Sequence, residues 1–135
     1  MSEFDRVTTD SAVAVYESAS GIFGALLDEI RELSKKKPDS ALSKNKIKII
    51  NAVLEDLLSF LSIEPEGKYL NLLDSDDVPQ VSDALIMMVQ FESAMGSFRG
   101  RYYKMFHDSG YEKSYHWITA EFVREIESLP EDESE

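Results

Sequence analysis

The sequence predicts an all-α domain: a four-helix up-down bundle with one long irregular connection, at about residues 62–80, that contains a short helical turn. Three observations lead there. Apolar residues recur at alternating steps of three and four along four segments. No segment alternates apolar and polar residues as a half-buried strand would, and clusters of Pro, Gly, Asp and Ser separate the segments. At 135 residues the chain has the length of one domain and can bury a core without staples. The domain is assigned to residues 1–129, and 130–135 (PEDESE) to an acidic disordered tail.

The first helix follows N-cap candidates at residues 8–11, with Ala12, Tyr16, Ala19, Phe23, Leu26, Ile30 and Leu33 on its inner face. Gly21 and Gly24 lie inside it, each costing about 1 kcal/mol against alanine. They imply a close neighbouring helix, or a small-residue seam for a second subunit. Pro38 breaks the pattern, and Asp39 or Ser40 is the expected cap of the second helix. There Ile47, Ile50, Leu54, Leu57 and Leu61 form a stripe widened by Ile49, Val53, Leu58 and Phe60, which assigns this helix to the bundle centre.

In the connection, Pro65 and Gly67 mark a turn and Tyr69, Leu70, Leu72 and Leu73 a short helical one. Asp74-Ser75-Asp76-Asp77 is not a calcium loop, since its sixth position is Pro79 and its twelfth Leu85. Acids there suit the positive end of the next helix. That third helix is expected from Val81 to His107, with Leu85, Met88, Met95, Phe98, Tyr102 and Met105 inward, Phe91 and Ala94 beside them, and a second small pair at Gly96 and Gly100. Gly110 is the expected C-cap. A fourth helix follows, with Tyr115, Ile118, Phe122, Ile126 and Leu129 inward.

Composition narrows function. The net charge of −12 repels phosphate backbones, so nucleic acid is not expected as a partner except as an RNA substrate. Six of the nine lysines fall within residues 35–48, a patch of +5 that leaves −17 elsewhere. Lys44, Lys46 and Lys48 open a helix, where its dipole disfavours cations, and so hint at an anionic partner. There is no cysteine, no apolar run near the roughly 18 residues of a membrane span, and no greasy leader in MSEFDRVTTD, which together suggest a cytoplasmic protein.

Signatures of chemistry are few. There is no Gly-rich phosphate loop, nucleophile elbow or His-Glu-x-x-His pair. Glu29 and Glu32 begin a magnesium-type acidic pattern without its second half, and no metal or cofactor is expected. One motif remains: Arg101-Tyr-Tyr-Lys-Met-Phe-His107, in a helical chain of this size, resembles the Arg-x4–6-His signature of HEPN domains. Many of these are dimeric ribonucleases. The resemblance implies that Arg101 would hold the scissile phosphate and His107 would move the 2′-hydroxyl or leaving-group proton, without metal. On one continuous helix the two would point about 120° apart, so convergence needs the helix to unwind before His107.

Seven aromatics crowd residues 98–117. Tyr103, Phe106 and Trp117 fall off the inward stripes, and Tyr111 lies at the turn. Tyr and Trp outside a core bury large area for few frozen torsions, as interface anchors do. The leading expectation is therefore a non-enzymatic, acidic protein that binds another protein and itself as a homodimer. Its role would be accessory, antitoxin-like or immunity-like. Its expected contacts are Tyr103, Phe106, Tyr111 and Trp117, with Lys44, Lys46 and Lys48. The HEPN-like ribonuclease is the alternative.

Overall fold

Helix α1 (Asp10–Lys36) begins where the Thr9 hydroxyl accepts the Ala12 amide at 3.1 Å, and ends just before Pro38, whose ring disfavours helical geometry in the residue preceding it. The computed structural model describes residues 6–108 and 112–128. Helix α2 (Lys44–Leu61) is capped by Ser43, whose hydroxyl accepts the Lys46 amide. The cap is not at Asp39 or Ser40 as expected. Backbone groups of residues 38–42 are instead engaged with the start of the third helix: Leu42 N–H donates to Pro79 O, and Val81 N–H to Ser40 O.

Helix α3 (Val81–Tyr102) carries a reciprocal capping box between Gln80 and Asp83. The acidic turn before it closes on itself, with the Asp74 carboxylate accepting the amides of Asp76 and Asp77. Helix α1 lies against both α2 and α3, which touch each other less. The connection covers that gap. Its 3-10 turn, Pro65–Tyr69, contacts both helices. Asn51 on α2 holds the far end, donating to Leu73 O and accepting Leu73 N–H, both at 2.8 Å. Gly67 is required there: a Cβ would sit 2.6 Å from Ser62 O and 2.7 Å from Leu61 O. Phe91, Phe98, Leu54, Leu57, Ile47 and Ile50 form the centre of the core.

The helix-dominated expectation holds in outline and changes at the C-terminal third. Helix α3 does not continue to His107. Residues Tyr103–Asp108 form strand β1, antiparallel to β2 (Glu112–Trp117), with Tyr103 opposite Trp117 and Met105 opposite Tyr115. Gly110, the expected C-cap, lies outside the described residues, as do Tyr111, Leu129 and the tail 130–135. Aromatic and β-branched pairs across strands stabilise such a hairpin by about 0.2–1 kcal/mol each. Met105 and Tyr115, expected in the core, are instead 49% and 55% exposed.

Helix α4 (Ala120–Ser128) starts after Thr119, whose hydroxyl accepts the Phe122 amide. It begins five residues later than Tyr115 and buries none of its nine described residues fully, so the expected fourth helix is present but does not start where the spacing placed it. A knot of backbone bonds fixes this end: Ile118 N–H to Tyr102 O, Thr8 N–H to Ile118 O, and Ala120 N–H to Thr8 O. No helix among the described residues is long and apolar enough to cross a membrane.

Candidate interaction surface

The strand period of two sorts the hairpin's side chains by face. Tyr103, Met105, Tyr115 and Trp117 share one face. Trp117 turns inward from it, packing at 5.2 Å on Tyr16 and 5.7 Å on Phe98, and works as a strut beneath the surface. Tyr103 lies on Trp117 at 5.0 Å and stacks with Tyr115 at 5.3 Å. The Arg99 guanidinium sits 4.4 Å from the centre of the Tyr103 ring, close enough for a cation–π contact. Gly96 and Gly100 form the floor of an open groove of about 550 Å³, with Tyr103, Tyr115 and Arg99 as its walls.

Neither glycine pair answers to a close neighbour among the described residues. A Cβ placed on Gly21, Gly24, Gly96 or Gly100 meets nothing within 4 Å. The explanation by a neighbouring helix of the same chain therefore fails, while the seam for a second chain stays open.

Phe106 is on the opposite face of the hairpin. Its ring packs edge-on against His116 at 5.8 Å and Phe122 at 5.6 Å, and His116 stacks on Phe122 while its Nε2 lies 2.8 Å from the Ser114 hydroxyl. Phe106 thus ties the hairpin to α4. The lysines of the first turn of α2, Lys44, Lys46 and Lys48, are exposed. No carboxylate among the described residues pairs with them. Lys46 also lines an apolar cleft between α1 and α2, with Leu26, Glu29 and Ile49.

Arg101 is committed elsewhere. Its Nη1 donates to Glu64 Oε1 at 2.9 Å and its Nη2 to Glu66 Oε2 at 2.8 Å, while the Tyr102 hydroxyl donates to Glu64 at 3.0 Å. The Glu64 and Arg101 side chains are only 6% and 15% exposed. The bond from Arg101 lowers the Glu66 pKa below the ordinary carboxylate value, and the same bond raises that of Arg101. Burial, then the bond to Glu64, raises that of Tyr102. The cluster clamps the 3-10 turn to the end of α3, beneath a cavity of about 280 Å³ that Thr8, Ser59 and Ile63 also line. His107 is carried away on β1, opposite Lys113. Among the described residues no group of three or more His, Asp or Glu side chains is arranged to hold a metal ion.

Sequence reasoning found Tyr103 and missed Met105, Tyr115 and the two glutamates. The alternation Tyr-x-Met in β1 and Tyr-x-Trp in β2 was the available signal for the first two. No family model, curated protein or solved structure significantly matches the chain.

Proposed function

We propose that this is a non-enzymatic, acidic helical protein that acts by binding another protein and by pairing with itself as a homodimer, in an accessory, antitoxin-like or immunity-like role. The observation that carries the reading is the Tyr103–Met105–Tyr115 face: two of its three side chains are about half exposed, on a hairpin stiffened from below by Trp117. Aromatic and Met side chains held rigidly at a surface are what a partner can bury at small entropic cost. Lys44, Lys46 and Lys48, paired with no carboxylate among the described residues, supply a second contact for an acidic partner. A cytoplasmic location belongs to the same reading and is supported by the cysteine-free composition.

The HEPN-like ribonuclease is the second reading. One observation favours it: α3 ends at Tyr102, so His107 is not fixed on the far side of the helix that bears Arg101. It ranks second because Arg101 would have to release two carboxylates before holding a phosphate.

The test is RNA cleavage together with light scattering, on the wild type, Arg101→Ala/His107→Ala and Met105→Ala/Tyr115→Ala. The binding reading expects no cleavage, a mass above the 15.3 kDa of one chain, and a shift toward monomer in the hairpin variant. Cleavage abolished in a folded Arg101/His107 variant would overturn it in favour of the nuclease.

A further inference from the structure

We propose that two copies of this chain pair through the outer face of α3, antiparallel about a two-fold axis near residue 91, with Ile86 of each copy seated in the glycine-floored hollow of the other. This rests on the reading of the protein as a self-associating module and names the surface and register that do it.

Helix α2 turns a charged face outward through Lys48, Glu55 and Asp56, and α1 does so in its C-terminal half through Asp28, Glu29 and Glu32, although Ile22 is exposed before them. Helix α3 does not. Its exposed positions between Asp83 and Arg99 are Ile86, Val89, Gln90, Glu92, Ser93 and Gly96, with a single charge among them, in a chain that is 30% charged. Ile86 is 60% exposed and Val89 38%. A helix that is apolar all round is normally buried all round. One chain covers only the inner side of α3, leaving a stripe from residue 86 to 100 about 21 Å long. The stripe runs on into the face of Tyr103, Met105 and Tyr115.

The stripe is complementary to itself. Ser93, Gly96, Ser97 and Gly100 stand at i, i+3, i+4 and i+7, the four positions that form the hole for a knob from a facing helix. Two of them have no side chain, and the space above both is open. The large residue at the other end of the same stripe is Ile86, about 16 Å from the centre of that hole. A two-fold axis midway between them satisfies both knobs at once, as an isologous interface requires. A second copy fits better than an unrelated partner because one stripe supplies both knob and hole.

The cysteine-free chain makes the test direct. In an Ile86→Cys/Gly96→Cys variant the two thiols are about 15 Å apart on one helix, beyond the roughly 7 Å Cα limit of a disulfide. The pairing places each beside its complement on the other copy. Oxidation should give a covalent species of twice 15.3 kDa from the double variant and little from either single one. Gly96→Leu occupies the hollow from a position where a Cβ meets no described atom within 4 Å, and should weaken self-association at least tenfold in sedimentation while melting no lower than wild type. Equal cross-linking by single and double variants overturns the pairing. So does assembly lost in Met105→Ala/Tyr115→Ala but kept in Gly96→Leu, a result that leaves the binding module standing. A wild type that stays monomeric at about 0.1 mM overturns the pairing and the homodimer together.

Discussion

Arg101→Ala separates a structural arginine from a catalytic one. In the folded protein its guanidinium makes two charge-assisted bonds, at 2.9 and 2.8 Å, to carboxylates from a different part of the chain. Truncation leaves Glu64, 6% exposed, with the Tyr102 hydroxyl as its one side-chain donor among the described residues. Stranding one partner of a buried pair costs about 3–5 kcal/mol. The cavity beside Glu64 gives water a route to the orphaned carboxylate, which argues for the lower end, about 3 kcal/mol. At about 2.1 cal/mol/K per residue the 135-residue chain unfolds with an entropy near 0.28 kcal/mol/K, so the melting temperature should fall by about 10 °C. Arg101→Lys keeps the charge but cannot fork between two carboxylates, and should fall in between. The assay is thermal unfolding by circular dichroism, repeated in urea. A melting point within about 2 °C of wild type would refute the clamp. It would mean that Arg101 is free to do something else, and the ribonuclease reading would gain.

Glu66 should make stability depend on acid. Its folded pKa lies below the ordinary 4.5, so the unfolded chain takes up that proton more readily. The contribution is therefore full above the unfolded pKa and lost as pH falls through the lowered folded one; urea midpoints from pH 6 down to pH 3 should drop less steeply in Glu66→Gln. Gly67→Ala and Gly96→Ala should move melting temperatures in opposite directions. The first forces a Cβ onto two backbone carbonyls and costs about 1–3 kcal/mol, and the second fills open space in a helix and gains up to about 1 kcal/mol. Asn51→Ala removes both bonds to Leu73 and should cost about 2 kcal/mol, with faster hydrogen exchange at the Leu73 amide than at the core amides of α2.

The parts of this fold that sequence reveals are those set by local periodicity. Phe23 and Ile30 on α1, and Ile47, Ile50, Leu54, Leu57 and Leu61 on α2, are all buried as their spacing implies. Residues 98–107 defeat the same method because Phe98, Tyr102 and Met105 also satisfy helical spacing, while Tyr103 and Met105 satisfy strand spacing. A short aromatic run obeys both periods, and here the cross-strand pairing with Tyr115 and Trp117 decides. The hairpin inverts the assignment of Met105 and Tyr115, which is why the most exposed part of the candidate surface was expected in the core. The Arg101 cluster joins residues 35 and 37 positions apart across an irregular connection, and no spacing rule reaches that far. The glycine pairs were visible as small residues, but only the packed chain shows that nothing fills the space above them.

The charge of the chain sets how the proposed pairing should respond to salt. Two bodies of −12 lie about 28 Å apart in a dimer, roughly twice the radius of gyration of a domain this size. Treated as points in water they repel by about 20 kcal/mol unscreened. Screening reduces that to about 8 kcal/mol at 0.01 M salt and below about 1 kcal/mol at 0.15 M. Exposed ion pairs at such a seam would act the other way, but they contribute about 0–1 kcal/mol each and are screened as well. Spread charge softens the repulsion, yet a quarter of the difference is still about 2 kcal/mol, more than tenfold in Kd. An α3 dimer held by apolar surface should therefore tighten as salt rises from about 0.01 to 0.15 M, read by sedimentation equilibrium. Loosening over the same range would mean that charge pairs, and the lysines at the start of α2 before all others, hold the copies together.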